Sequence, residues 1–501
     1  MIRDDEVTKL RKPNILFILI DDLGWKDLSC YGSSFYETPN LDRMAAEGVR
    51  FSDAYASCPV CSPTRASVMS GKYPATVGVT NFIGPKLRVG KPTASSVEEP
   101  QNHKLNELPF IDAARGKLLD APYTKYLPLT EKSIAAVLRE DGYQTWHVGK
   151  WHLGGLDYYP EHHGFDVNIG GCDWGMPREG YFSPYGIETL PNHTEGEYLT
   201  DRLTDEAIRL ISESDDGRPF FLNLWHYAVH TPIQAPDRQL VEKYQAKAKS
   251  LGLDKLEALR EDEFFPCEHK KTQRVTRRLI QSDPEYAAMV EHLDACIGRL
   301  LQALEDTGKA DNTLIVFTSD NGGLSTAEGS PTCNAPLNEG KGWMYEGGVR
   351  APLIVKGFGV EKPGLVCSVP VTTPDFYPTF LELSGHPLMP EQHVDGVSLA
   401  PLLQGAEELD REAIYWHFPH YGNQGGTPGC SIRAGDYKLI EFFEDSRLEL
   451  YNLRLDQGEQ NNLADSEPDQ ARRLHKLLLQ WRESVEANIP ARNPDYISWT
   501  T

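Results

Sequence analysis

The sequence predicts an α/β fold: a large, mostly parallel sheet sandwiched by helices, followed by a smaller C-terminal subdomain of antiparallel sheet plus helix. Three observations carry this prediction. Apolar runs of strand length alternate with amphipathic segments over the first four-fifths of the chain, the alternation that builds a parallel sheet covered on both faces. Two of the apolar runs end in acidic or amide pairs, as strands facing a ligand edge do. From about Arg411 the pattern changes to short strands between turn residues, then one helix.

Taken in order, "NILFILI" (Asn14–Ile20), "PFFLNLW" (Pro219–Trp225), "TLIVFTS" (Thr313–Ser319) and "APLIVK" (Ala351–Lys356) read as buried strands. "TPNLDRMAAEG", "TEKSIAAVLREDG", "LTDEAIRLISES" and "YAAMVEHLDACIGRLLQALEDTG" read as helices, several with Ser, Thr or Asp near the start and Gly at the end. In the C-terminal part, "AIYWHF", "CSIRAGDYKLIEFFE" and "LELYNL" read as strands and "DQARRLHKLLLQWRESVEA" as a helix. The expected division is a large domain over residues 1–410 and a subdomain over 411–501. Two long polar segments, Gly84–Leu129 and Arg238–Pro284, interrupt the larger domain. The second holds His269, Lys270, Lys271, Arg274, Arg277 and Arg278, a cluster expected to be a solvated face rather than a ligand site.

Composition narrows the function. A formal net charge of −23 argues against a nucleic-acid partner, and an anionic substrate would need a locally basic site. The charged N-terminus "MIRDDEVTKLRKP" and the short run "ILFILI" give neither a leader nor a span. The expectation is therefore a cytoplasmic protein with no membrane partner, or a periplasmic or secreted one if a leader has been trimmed. Nine cysteines at scattered spacings do not form a disulfide framework. The single CxxC, Cys58 to Cys61, lacks the small βαβ context of a redox motif.

Two strands finish alike. "NILFILIDD" ends in Asp21 and Asp22, and "TLIVFTSDNGG" runs into Asp320 and Asn321. Carboxylates crowded at strand ends want a cation, and three of them with an amide oxygen suit Ca²⁺ or Mg²⁺ rather than Zn²⁺. Cations and imidazoles fall in "HVGKWHLGG" (Lys150, His152), "WHYAVHTPIQAP" (His226, His230) and "NEGKGWMYEGGVRAP" (Lys341, Arg350). In "CSPTRASVMSG", Pro63 suits a first helical turn and Gly71 a stop. Cys61 then lies within a turn of Arg65, which is expected to point at the same spot and join the helix amides in an anion seat.

These residues resemble the formylglycine-dependent (type I) sulfatases of the alkaline-phosphatase superfamily. The match runs in family order through "PNILFILIDDLGW", "CSPTRASVMSG", "GKWHLGG", "VHTP", "SDNGG", "GKGWMYEGGVRAP" and "DGVSLAPLLQG". Thr64 stands where a serine is often found. The resemblance implies an alkaline-phosphatase-like fold and an arylsulfatase-like sulfuric ester hydrolase acting on a sulfated small molecule or oligosaccharide. It implies that Cys61 becomes formylglycine through a formylglycine-generating or anaerobic sulfatase-maturating enzyme. Asp21, Asp22, Asp320 and Asn321 would hold Ca²⁺ with it. Arg65, Lys150, His152, His230 and Lys341 would complete the catalytic set, with His152 taking a proton and His230 or Lys341 assisting the departing alcohol. The nearest alternative is a phosphonate monoester or phosphodiester hydrolase using the same modified cysteine; a catalytically dead carbohydrate receptor is the rival of another class. The stretch "YWHFPHYGNQGGTPG", with His417 and His420, is expected to contact the sugar.

Overall fold

A computed structural model describes residues 12–84, 115–215 and 217–498. Most of the polar segment Gly84–Leu129, and the first residues of the N-terminal stretch, lie outside the described residues. The large sheet has eight strands: β1 (Asn14–Ile20), β2 (Val49–Phe51), β3 (Gln144–Gly149), β4 (Val167–Ile169), β5 (Phe220–Trp225), β6 (Thr313–Ser319), β7 (Leu353–Gly357) and β8 (Leu365–Cys367). Their spatial order is β8-β2-β7-β6-β1-β5-β3-β4. Strands β6, β1, β5, β3 and β4 are mutually parallel. The run Ala351–Lys356, expected as one more buried strand, forms β7 and is antiparallel to both neighbours.

β1 lies at the centre with every residue buried, which explains its unbroken apolar sequence. On one face Phe17 packs against Trp225 and against Phe376 and Phe380 of a short helix. On the other face lie α1 (Leu199–Glu213), α2 (Arg238–Ser250) and α3 (Pro284–Asp306), packed on one another. α3 begins as its sequence indicates: Pro284 opens the helix and the Asp283 carboxylate accepts from the Glu285 and Tyr286 amides.

The smaller C-terminal sheet joins β9 (Ile414–Phe418), β10 (Gly429–Ala434), β11 (Tyr437–Phe442) and β12 (Arg447–Asn452) in sequential antiparallel order. The helix α4 (Pro468–Ser484) covers it through Leu474 and Leu478. The two sheets share apolar clusters, in which Tyr55, Tyr73 and Val349 meet Trp416 and Trp481. No helix among the described residues is long and apolar enough to cross a membrane.

Candidate active site

The parallel strands bring their carboxyl ends to one edge, and register fixes the alignment: Leu19 lies beside Trp225, Ile20 beside Ser319, and Gly149 beside Trp225. The residues just past those ends are therefore neighbours: Asp21 and Asp22 after β1, Asp320 and Asn321 after β6, Lys150 and His152 after β3. Backbone bonds lock them, with Asp320 N–H donating to Ile20 O at 3.1 Å and Lys150 N–H to Trp225 O at 2.7 Å. Glycines allow the approach. A Cβ on Gly149 would lie 2.0 Å from Trp225 O, and one on Gly322 1.7 Å from Gly347 O, so "GKW" closes on the end of β5 and "SDNGG" on "YEGGV". Asp22 and His152 take positive φ of 62° and 58°, a left-handed backbone that side chains avoid unless their surroundings impose it.

Cys61 opens a ten-residue helix, Cys61–Ser70, that ends at a left-handed Gly71. All ten residues are buried, and no side chain caps its first turn. The Cys61 Sγ lies 3.3 Å from His152 Nδ1. His152 Nε2 lies 2.6 Å from the Ile83 carbonyl, which can only accept, so Nε2 carries the ring proton and Nδ1 presents a lone pair toward Cys61. Burial, reinforced by Lys150, holds the His152 pKa well below its ordinary value, so the ring is neutral. Burial also raises the Cys61 thiol. Ile83 carries no sequence signal for this role.

Arg65 reaches the carboxylates that gather around Cys61, with its Nη2 3.7 Å from Asp21 Oδ1. Its Nε and Nη2 donate to Asp320 Oδ2 at 2.9 and 2.7 Å, and its Nη1 to Lys150 O at 2.9 Å. The guanidinium lies 5.2 Å from the Trp225 ring centroid and is wholly buried. The carboxylate at the end of β6 captures it, so Arg65 orients Asp320. Lys150 Nζ donates to Asp21 Oδ2 at 2.6 Å, and Lys341 Nζ lies 2.7 Å from Asp22 Oδ2 and 2.9 Å from His230 Nε2.

Asp21, Asp22 and Asp320 thus face Arg65, Lys150 and Lys341. Two oxygens are left over: among the described residues Asp21 Oδ1 and Asn321 Oδ1 are buried without a hydrogen bond, and Asp21 Oδ1 has only Arg65 Nη2 at 3.7 Å. Asn321 spends its Nδ2 on Asp22 Oδ1 and Gly322 O, which turns its oxygen away from them. Burial pushes the Asp21 carboxyl well above the usual range; Lys150 opposes this, while Asp320 and Asp22 add to it. At Asp22 burial acts the same way, but Lys341, His230 and Lys150 prevail and hold it below the usual range. Burial, then Lys341, lowers His230 to about 4. Its Nδ1 donates to Thr231 O at 2.9 Å, leaving Nε2 to accept from Lys341.

The remaining candidates lie elsewhere. Arg350 bonds Ser52 O and pairs with Asp53 and Glu346 at the junction between the two sheets. His226 is fully buried, and neither ring nitrogen has a partner among the described residues. His417 and His420 are corrected from sugar contact to junction residues: both are buried, His417 Nε2 meets Asn488 O, and His420 spends its two nitrogens on Thr80 and Asp120. In the basic cluster, Lys270 meets Asn423 O, Arg277 pairs with Glu263 and Glu339, Arg278 with Asp283, and Arg274 bonds the carbonyls of Glu261 and Asp262. These cations are spent within the protein.

The sulfatase family profile matches residues 13–386. The chain belongs to the sulfatase family. A second profile, N-sulphoglucosamine sulphohydrolase, C-terminal, matches residues 339–484 of this sulfatase. A protein of Formosa agariphila described as a sulfatase is 34% identical to it, covering 98% of this chain and 92% of its own. Human N-acetylgalactosamine-6-sulfatase is 29% identical, covering 96% and 87%. The solved structure of Ps i-CgsB in complex with k-i-k-neocarrahexaose superposes with a TM-score of 0.70 at 28% identity, over 94% of this sulfatase and 93% of that chain. The fold is accordingly alkaline-phosphatase-like, and the protein is a sulfatase enzyme.

Proposed function

We propose that this sulfatase releases inorganic sulfate from a sulfated carbohydrate, with Cys61 converted to formylglycine and one Ca²⁺ held by Asp21, Asp22, Asp320 and Asn321. The observation that carries the reading is Cys61 at a buried helix start, 3.3 Å from the unprotonated nitrogen of a neutral His152, on the edge where those four side chains gather. The similarity to a galactosamine sulfatase and to a structure holding a carrageenan-type hexaose supports the sugar class.

The residues present fit a hard cation. Two buried oxygens take no hydrogen bond among the described residues, and every ligand atom the quartet offers is oxygen, the shell of Ca²⁺ or Mg²⁺. Bound there, the ion would supply Lewis-acid stabilisation of charge on the sulfate oxygens. Three carboxylates already balance three cations at this edge, so an added dication leaves the seat positive for a singly charged sulfate ester.

The hydrated aldehyde of formylglycine supplies a hydroxyl nucleophile at the position of Cys61. The sulfur–oxygen bond to the sugar breaks as the bond to that hydroxyl forms; the hydroxyl gives up its proton to solvent as it attacks, and the leaving oxygen takes one proton. Lys341 and His230 supply it. Lys341 is the charged member, since burial alone would lower its pKa but Asp22 holds it up, and His230 Nε2 lies on its ammonium. His152 accepts, at Nδ1, the proton whose loss restores the aldehyde and frees sulfate. Arg65 keeps Asp320 in place, and Lys150 does the same for Asp21. Beyond His230, a cavity of about 380 Å³ lined by Thr231, Pro232, Asp283 and Glu328 offers room for the sugar.

The test uses protein matured by co-expression with a formylglycine-generating or anaerobic sulfatase-maturating enzyme. It is assayed on sulfated monosaccharides and on glycosaminoglycan, galactan and mucin fragments, beside an aryl sulfate and a phosphonate monoester. Sulfate release from a sugar with kcat/KM above that for the phosphonate is expected. A higher kcat/KM on the phosphonate would overturn the reading in favour of a phosphonate monoester or phosphodiester hydrolase. Absence of any turnover by aldehyde-bearing protein would overturn it in favour of a receptor.

A further inference from the structure

Away from the catalytic edge, the described residues gather a second set of metal-ligating side chains: Asp201 in the first turn of α1, with His292 and Cys296 on α3. The spacing of four residues puts His292 and Cys296 on one face of α3, where α1 packs. A ligand atom of each lies within 4.8 Å of the others. His292 Nε2 is 2.8 Å from Asp201 Oδ2, and Cys296 Sγ is 3.5 Å from Asp201 Oδ1, which also accepts from Arg299 Nη1 at 3.1 Å.

A fourth group lies near the set, outside the 4.8 Å within which the other three meet. His226, one residue past β5, is fully buried, and neither ring nitrogen has a partner. A buried imidazole left so is costly unless something binds it. Side chains alternate along a strand, and Trp225 faces Phe17 and the Phe376 side of the sheet. His226 therefore turns to the opposite face, where α1 and α3 pack. Asp201 and His292 are close enough to act on it electrostatically.

We propose that Asp201, His226, His292 and Cys296 form a structural Zn²⁺ site tying α1 and α3 to the end of β5. Carboxylate, imidazole and thiolate are a borderline donor set, unlike the all-oxygen quartet at the catalytic edge. With the His226 ring turned in to join the other three, four protein ligands close the coordination shell, which marks a structural site rather than a catalytic one. The Asp201 and His292 side chains are 31% and 21% exposed, which gives the ion a route from solvent. On binding, the Cys296 thiol gives its proton to water and becomes a thiolate ligand. His292 moves its ring proton from Nε2 to Nδ1, and Asp201 ligates through Oδ2 while Arg299 stays on Oδ1. One proton is released per ion and no electron moves.

The experiment uses the full chain carrying Cys61→Ala, which removes the catalytic-edge thiol, stripped with chelator and held in excess Ca²⁺ to fill that edge. Titration with Zn²⁺ is followed by calorimetry in buffers of different ionisation enthalpy. One ion per chain, one proton released and a raised melting temperature are expected. Co²⁺ in place of Zn²⁺ should give thiolate charge-transfer absorption that disappears with Cys296→Ser. His226→Gln and His292→Gln should each weaken Zn²⁺ binding by at least about tenfold. Melting without Zn²⁺ shows whether each variant folds, and Cys296→Ala replaces the serine variant if that one does not. No bound Zn²⁺, or a Co²⁺ band that survives loss of Cys296, would overturn the site. Unchanged affinity in His226→Gln would overturn the four-ligand assignment.

Discussion

Two regions of this sulfatase bury charge in the same proportion and to different ends. At the junction of the sheets, Asp53, Glu346 and Glu459 meet Arg350, Arg433 and Lys438. Lys438 Nζ lies 3.0 Å from both Glu346 Oε1 and Glu459 Oε1, Tyr55 OH donates to Glu346 Oε2 at 2.7 Å, and the Glu346 amide donates to Glu459 Oε2 at 2.7 Å. Asp53 Oδ1 takes Arg350 and Arg433, and its Oδ2 takes the Ser52 hydroxyl. Every carboxylate oxygen of that trio lies within reach of a donor, Glu459 Oε1 through its ion pair with Lys438 and without a hydrogen bond. At the catalytic edge three acids again meet three bases, yet among the described residues Asp21 Oδ1 and Asn321 Oδ1 take no hydrogen bond, and Asp21 Oδ1 has only the Arg65 guanidinium at 3.7 Å. Charge closed on itself holds layers together; buried oxygen left over marks a place for a ligand.

The comparison is broken most forcefully at the edge. Asp320→Ala removes one metal oxygen and frees Arg65 into the seat, so kcat/KM on an aryl sulfate should fall at least about 1,000-fold and bound Ca²⁺ should be lost. Elemental analysis of dialysed protein beside the rate checks both, and full activity after chelation would reduce these strand ends to ordinary turns. His152→Ala should lower kcat about 100-fold or more. Rapid-mixing kinetics should then show a burst of alcohol ahead of slow sulfate release.

At the junction the same kind of substitution should act on stability. Lys438→Met leaves buried Glu459 without its cation and Glu346 with Arg350 alone, at a cost of about 3–5 kcal/mol by denaturant titration. The folded fraction should keep its turnover of aryl sulfate, and a parallel loss of kcat would join the two regions functionally. A pH series sharpens this. Burial raises Glu459 from 4.5 to about 8, with Lys438 opposing and Glu346 adding. Between those values the unfolded chain gives up a proton that the fold keeps. That contribution is complete below pH 4.5 and is lost as pH rises to about 8, with a slope on the order of 1 kcal/mol per pH unit. Glu459→Gln should flatten the dependence of melting temperature on pH across this window.

The smallest effect is expected at His420. Bonded to Thr80 and Asp120, it steadies the segment leading to Ile83. His420→Ala should cost about 1–2 kcal/mol of stability and change turnover of aryl and sugar sulfates alike. A loss confined to the sugar would restore the direct contact expected from sequence.

Legibility followed burial and length. β1 and β6 matched their apolar runs residue for residue, because a strand buried on both faces leaves no polar interruption. The three-residue strands Val49–Phe51, Val167–Ile169 and Leu365–Cys367 went unread, since so short a run carries no period. The Cys61–Ser70 helix shows no amphipathic face because all ten residues are buried; Pro63 and Gly71 alone revealed it. The site residues were visible as types at strand ends, but their directions were not. Arg65 is four residues from Cys61, which puts both on one helix face, yet Asp320 on another strand decides where the guanidinium goes. The tautomer of His152 depends on a backbone carbonyl at Ile83, and the strained backbone of Asp22 and His152 exists only in the assembled edge.

The central claim is that Cys61 is the precursor of the nucleophile, and one measurement addresses it most directly. Peptide mass spectrometry of active protein, matured by co-expression, should find residue 61 as an aldehyde, in a fraction that rises in proportion to specific activity on an aryl sulfate. Fully active protein in which Cys61 remains a free thiol would contradict the account.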